Sequence, residues 1–129
     1  MPQPERPART PPVIFGSAAW AEDALRASAA AQQVAEAARA EFERKGVPVA
    51  DLRACQAEGP DGTRLEHCVK VYLPRPAGQH GMVFRIVRDG RGRLGLTYAA
   101  FGLRHPAPNM RQPSVYQVAH RRLHSAPEN

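Results

Sequence analysis

Cysteine is scarce in this 129-residue chain: Cys55 and Cys68 are the only two, and they form no C-x-x-C pair. That is too few for a disulfide framework and lacks zinc-knuckle spacing, so both are read as free thiols. No apolar run approaches the roughly 18 residues of a membrane span. The first residues are Pro-rich and charged, without the apolar core of a leader. Neither a span nor a secretory leader is expected, and the cytoplasm is the expected location. Aromatic residues make up only 6%, and there is no internal repeat. A phosphate-binding loop is missing too: Gly90-Arg91-Gly92 lacks the Gly-x-x-x-x-Gly-Lys spacing and reads as a hairpin turn.

Hydrophobic residues (43%) and charged residues (23%) stand in globular proportion for one domain, with 13 Pro and 10 Gly to make turns. The formal charge is +6, and 16 of the 18 basic residues are Arg, whose planar fork suits phosphate and carboxylate. The charge is unevenly spread. Residues 1–66 hold 8 basic and 10 acidic side chains, net −2, whereas residues 67–129 hold 10 basic ones against Asp89 and Glu128, net +8. All five His also lie in the second half. Such asymmetry points to a basic face for nucleic acid or an acidic partner, or else to Arg-rich surface that reflects genome bias.

Residues 1–12, with five prolines and no large apolar side chain beyond Met1, are expected to be a disordered tail, and 125–129 a flexible one. The folded domain is expected over 13–124. Val13-Ile14-Phe15 reads as a strand and Gly16-Ser17 as a helix start. Ala18 to Lys45 lacks Pro and Gly and places Val34, Ala38 and Phe42 on one helical face. As one helix it would be about 42 Å long; the other arrangement is a helical hairpin broken near Ser28. Residues 49–66 read as loop or irregular strand. Cys68–Leu73 reads as a strand, and residues 82–101 as a hairpin turning at Asp89-Gly90. Ser114 caps a last helix running to His124. The expected fold is α+β: a small antiparallel sheet with an N-terminal helical hairpin and a C-terminal helix, all on one side.

Several segments resemble the RelE/ParE family of bacterial toxins. Met82-Val83-Phe84 is similar to its YRLVY-like strand, Gly102-Leu103-Arg104 to its Gly-x-Arg strand end, and Val115 to Leu123 to its last helix. Val69-Lys70-Val71-Tyr72-Leu73 is similar to its KIKL-like strand. The chain departs from the family at three places. Gly81 stands where the family has an Arg, Tyr72 stands at the second basic position, and the loop between Arg104 and Tyr116 is longer. His80 and Arg85 are the nearest basic replacements for the missing Arg.

The resemblance implies a metal-independent endoribonuclease that attacks messenger RNA on the ribosome through a ribose 2′-OH. Such a reaction needs a proton acceptor, cations for the phosphorane and a donor to the leaving 5′-oxygen. Arg104 would be the transition-state cation and Lys70 a phosphate contact. Tyr116 would be a base or stacking platform, and His105 and His80 proton shuttles. Arg85, Arg111, Arg121 and Arg122 would hold RNA. No cofactor is expected. His120 and His124 have metal-ligand spacing, but no Glu of an H-E-x-x-H motif lies between them, so no metal is expected either. The implied partner is an acidic antitoxin covering the basic face. The alternative is a non-catalytic basic module of the same fold that binds nucleic acid or a protein target such as gyrase. A third reading is an unrelated α+β interaction protein.

Overall fold

A computed structural model describes residues 11–88 and 90–124. Most of the expected N-terminal tail, the C-terminal tail and the turn residue Asp89 lie outside the described residues. Pro12, placed in the tail by its sequence, is buried, and its carbonyl accepts a hydrogen bond from Val47 N–H at 2.8 Å. Gly46 permits this approach. Its φ of 89° suits glycine, and a Cβ there would fall 2.4 Å from the Pro11 carbonyl oxygen.

The chain runs β1 (Ile14–Phe15), α1 (Trp20–Ala24), α2 (Ala29–Lys45), β2 (Arg53–Ala54), β3 (Cys68–Tyr72), β4 (His80–Arg88), β5 (Leu94–Leu103) and α3 (Val115–His124). The helical region breaks at Ser28, where extended backbone lets the side chain accept from Ala31 N–H and cap α2. Strands β3, β4 and β5 are consecutive and antiparallel, as the alternation and the Gly-rich turn require.

Two expectations about the sheet are corrected. Its order is β1-β5-β4-β3-β2, and β1 runs parallel to β5, with Ile14 opposite Leu96, so the sheet is mixed. A tight hairpin dictates antiparallel pairing, but a long connection leaves an edge strand either direction. The helices also cover both faces instead of one. Met82, Val83 and Phe84 are all fully buried, so neither face of β4 tolerates water there. Val71, Met82, Phe84, Leu96, Tyr98 and Phe101 form the core with α1 and α2. Cys68, Val83, Ala99 and Ala100 form a second core with Val115 and Ala119 of α3.

A bulge links the two layers. Val83 pairs with Ala100 but Phe84 with Tyr98, which leaves Ala99 as the extra residue. β1 pairs only as far as Thr97, so backbone groups of β5 beyond it need other partners. The Ala99 carbonyl accepts from Arg122 Nη1 at 2.9 Å, and Phe101 N–H donates to Asp23 Oδ2 at 3.2 Å. Asp23, only 1% exposed, receives a two-pronged ion pair from Arg122 at 2.6 and 2.7 Å. The Tyr98 hydroxyl also donates to it. Burial, followed by that bond to a carboxylate, pushes the Tyr98 phenol far above its ordinary pKa and keeps it a donor. Arg122, expected to hold RNA, is thus committed to joining α3 to α1.

Candidate functional site

The end of the sheet beneath the start of α3 is open. Pairing sets Tyr72 opposite Gly81 and Gly81 opposite Gly102, so two adjacent strands have no side chain there. A cleft of about 790 Å³ lies at this end, walled by residues 56–65, the loop after β5 and the first turn of α3. Strand parity places Lys70 and Tyr72 on the same face. At the helix start, Ser114 Oγ accepts from Gln117 N–H at 3.2 Å, and Gln117 Oε1 accepts from Ser114 N–H at 2.9 Å. This reciprocal cap fixes Tyr116 between its two members.

The cations gather around the two phenols. Lys70 Nζ donates to the Tyr116 hydroxyl at 3.3 Å and lies 4.8 Å from that ring's centre. Arg104 Cζ lies 4.2 Å from the centre of the Tyr72 ring, and Lys70 Nζ is 5.6 Å from it. His105 also lines the cleft, its ring centre 6.3 Å from that of Tyr116. Burial acts against the Lys70 ammonium, but the hydrogen bond to Tyr116 and the nearby Tyr72 and Cys55 outweigh it. Its pKa rises above the ordinary lysine value, which makes Lys70 a permanent cation and a donor, not a base. The guanidinium of Arg104 is held lightly: Nη2 donates to the Gly78 carbonyl at 2.9 Å, while Nε is buried with no acceptor among the described residues.

Of the residues singled out from the sequence, Lys70, Arg104, His105, Tyr116, Arg111 and Arg121 line this one cleft. Arg111 does so at a φ of 52°, a left-handed conformation that costs an arginine about 1–2 kcal/mol. Three others lie elsewhere. His80 shares the parity of Met82 and Phe84, so its ring stacks on Phe101 in the α1/α2 layer, 5.3 Å between centres. Burial there holds its pKa below the ordinary value. Arg85 is exposed on β4 opposite Cys68, outside the cleft lining, and Arg122 is paired with Asp23. The metal spacing of His120 and His124 serves the backbone: Arg64 N–H donates to His120 Nδ1 at 2.9 Å, and His124 Nε2 meets the Arg64 carbonyl at 2.8 Å. Burial pushes both cysteine thiols up, Cys55 to about 12, so neither is an activated nucleophile.

Sequence reasoning missed Tyr72, the ring on which these cations converge. The signal was its place two residues after Lys70, on the same face of a strand. Gly81 also changes meaning. A Cβ at this position would lie 3.3 Å from Arg104 Cγ, so the bare backbone gives Arg104 its path across β4 to Tyr72. Gly81→Ala is therefore expected to displace Arg104 and weaken function at this site about ten- to hundredfold. The same Cβ would lie 3.3 Å from the Val71 carbonyl oxygen, a backbone atom, so a loss of thermal stability of about 1 kcal/mol is expected, partly offset by alanine's lower chain entropy. A melt of the variant, beside an assay of this site's activity, checks both. Compared with protein-family models, curated proteins and solved structures, the chain matches none of them.

Proposed function

We propose that this cleft binds RNA and cleaves it by 2′-OH attack, as a RelE/ParE-like toxin domain would. The observation that supports this most is the convergence of Lys70, Arg104, His105 and Tyr116 on one opening, with cations held against aromatic rings. Lys70 and Arg104 take the scissile phosphate and stabilise the added charge of the phosphorane. His105 accepts the 2′-OH proton as the 2′-oxygen bonds to phosphorus. Tyr116 accepts its hydrogen bond from Lys70 and so keeps its own O–H to donate to the departing 5′-oxygen. The products are a 2′,3′-cyclic phosphate and a 5′-hydroxyl.

Arg111 of the loop after β5 and Arg121 of α3, both lining the cleft, hold the flanking strand. An acidic antitoxin segment lying over the same cleft would silence the domain, and the ribosome is the setting in which messenger RNA would be presented. Among the described residues no helix is long and apolar enough to cross a membrane.

RNA affinity measured at 50 and 200 mM salt tests the binding half. Neutralising two to four phosphates of a single strand should lower the affinity about 7- to 50-fold between these concentrations. Equal affinity at both, or no binding at low salt, contradicts the proposal. Strong salt-sensitive binding without cleavage leaves the binding-module alternative standing.

A further inference from the structure

Arg53 lies outside the residues considered so far, yet its guanidinium carbon is 4.8 Å from the centre of the Tyr72 ring. The strand order β5-β4-β3-β2 fixes the side from which it comes. Arg104 follows β5 and reaches Tyr72 across the bare Gly81, whereas Arg53 belongs to β2 on the other flank, paired with Lys70. Tyr72 on β3 is thus approached by two guanidinium groups from opposite flanks. Among the described residues no carboxylate pairs with Arg53. Its side chain is exposed, and Tyr72 remains 40% exposed between the two cations.

With both flanks occupied, Tyr72 is poorly placed to stack a base. Its ring instead works as a spacer between two planar forks: Arg104 spends Nη2 on the Gly78 carbonyl and keeps Nη1 for a ligand, and among the described residues no acceptor takes the donors of Arg53. Two forks on either side of one ring match two successive phosphates of a strand better than one phosphate or a free nucleotide.

We infer that Arg53 makes a second phosphate position, so that the cleft takes a single-stranded RNA running across the sheet end from β5 towards β2. The inference rests on the RNA reading above and adds the path of the strand and its minimum length. Arg53 is a binding residue for the flanking phosphate, remote from the reacting atoms. Its removal should weaken longer strands and spare the shortest.

The test uses the full chain and 2′-O-methyl oligonucleotides, which bind without being cut. A dinucleotide has one bridging phosphate and a hexanucleotide five. Arg53→Ala should weaken the hexanucleotide about tenfold near 0.1 M salt and reduce its salt slope by about one phosphate's worth, leaving dinucleotide affinity unchanged. Arg53→Lys should restore most of the slope. Equal hexanucleotide affinity in wild type and Arg53→Ala overturns the inference alone. An equal loss on both ligands also overturns it, since Arg53 would then be supporting Lys70 and Arg104. A wild-type chain that binds neither ligand overturns the RNA reading as well.

Discussion

Arg104→Ala is expected to lower the rate of RNA cleavage about 10²–10³-fold while weakening RNA affinity less than about tenfold. The asymmetry follows from where the charge is. Bound RNA offers one negative charge per phosphate, and Lys70, Arg111 and Arg121 still meet it when Arg104 is gone. The phosphorane has additional charge that exists mainly in the transition state, and an aimed guanidinium acts chiefly on that. Tyr116→Phe separates the phenol's functions in the same assay. The variant keeps the ring under Lys70 but loses the proton that the proposed reaction gives to the 5′-oxygen, so the rate should fall about 10²–10⁴-fold. A normal rate would leave Tyr116 as a packing residue. Single-turnover rates and binding constants for both variants decide between these outcomes.

The second large effect concerns stability and separates two neighbouring arginines. Arg122→Ala leaves Asp23 buried without its ion-pair partner and the Ala99 carbonyl without its donor. Breaking a buried pair by removing one member costs about 3–5 kcal/mol. That is a large part of a small domain's usual 5–15 kcal/mol. At about 4–8 °C per kcal/mol for a domain of about this size, the melting temperature should drop by about 12 °C or more. Arg121→Ala, one position earlier and exposed, should lower the melt much less than Arg122→Ala, because an exposed cation's contacts contribute about 0–1 kcal/mol, and should weaken RNA binding instead. Replacing Asp23 and Arg122 together with leucine should destabilise less than the two single changes summed, since no lone charge stays buried. Thermal melts of the two alanine variants, the double leucine variant and its two single leucine changes give the comparison.

These two arginines show how far local sequence patterns reach. The β4–β5 hairpin and α3 were legible because alternation, a Gly-rich turn and the Ser114 cap are short-range signals. Lys70, Arg104 and Tyr116 were singled out by the resemblance to a toxin family, and the structure brings them to one cleft. The Asp23–Arg122 pair joins residues 99 positions apart, which no periodicity encodes, so Arg122 looked like one more surface cation. The parallel direction of β1 was hidden for the same reason. His80 was assignable in principle: it has the parity of Met82 and Phe84, hence the core face, while Gly81 beside it faces the cleft. What obscured that was reading His80 as a replacement for the arginine missing at Gly81. The structure shows the space over Gly81 filled by Arg104.

The most direct test is cleavage of two oligoribonucleotides of one sequence, the second with every 2′-hydroxyl methylated, by the purified chain with and without ribosomes. The account predicts that the first is cut, leaving 2′,3′-cyclic phosphate and 5′-hydroxyl ends, and that the second is bound but intact. Cleavage of both, or of neither under either condition, would contradict it.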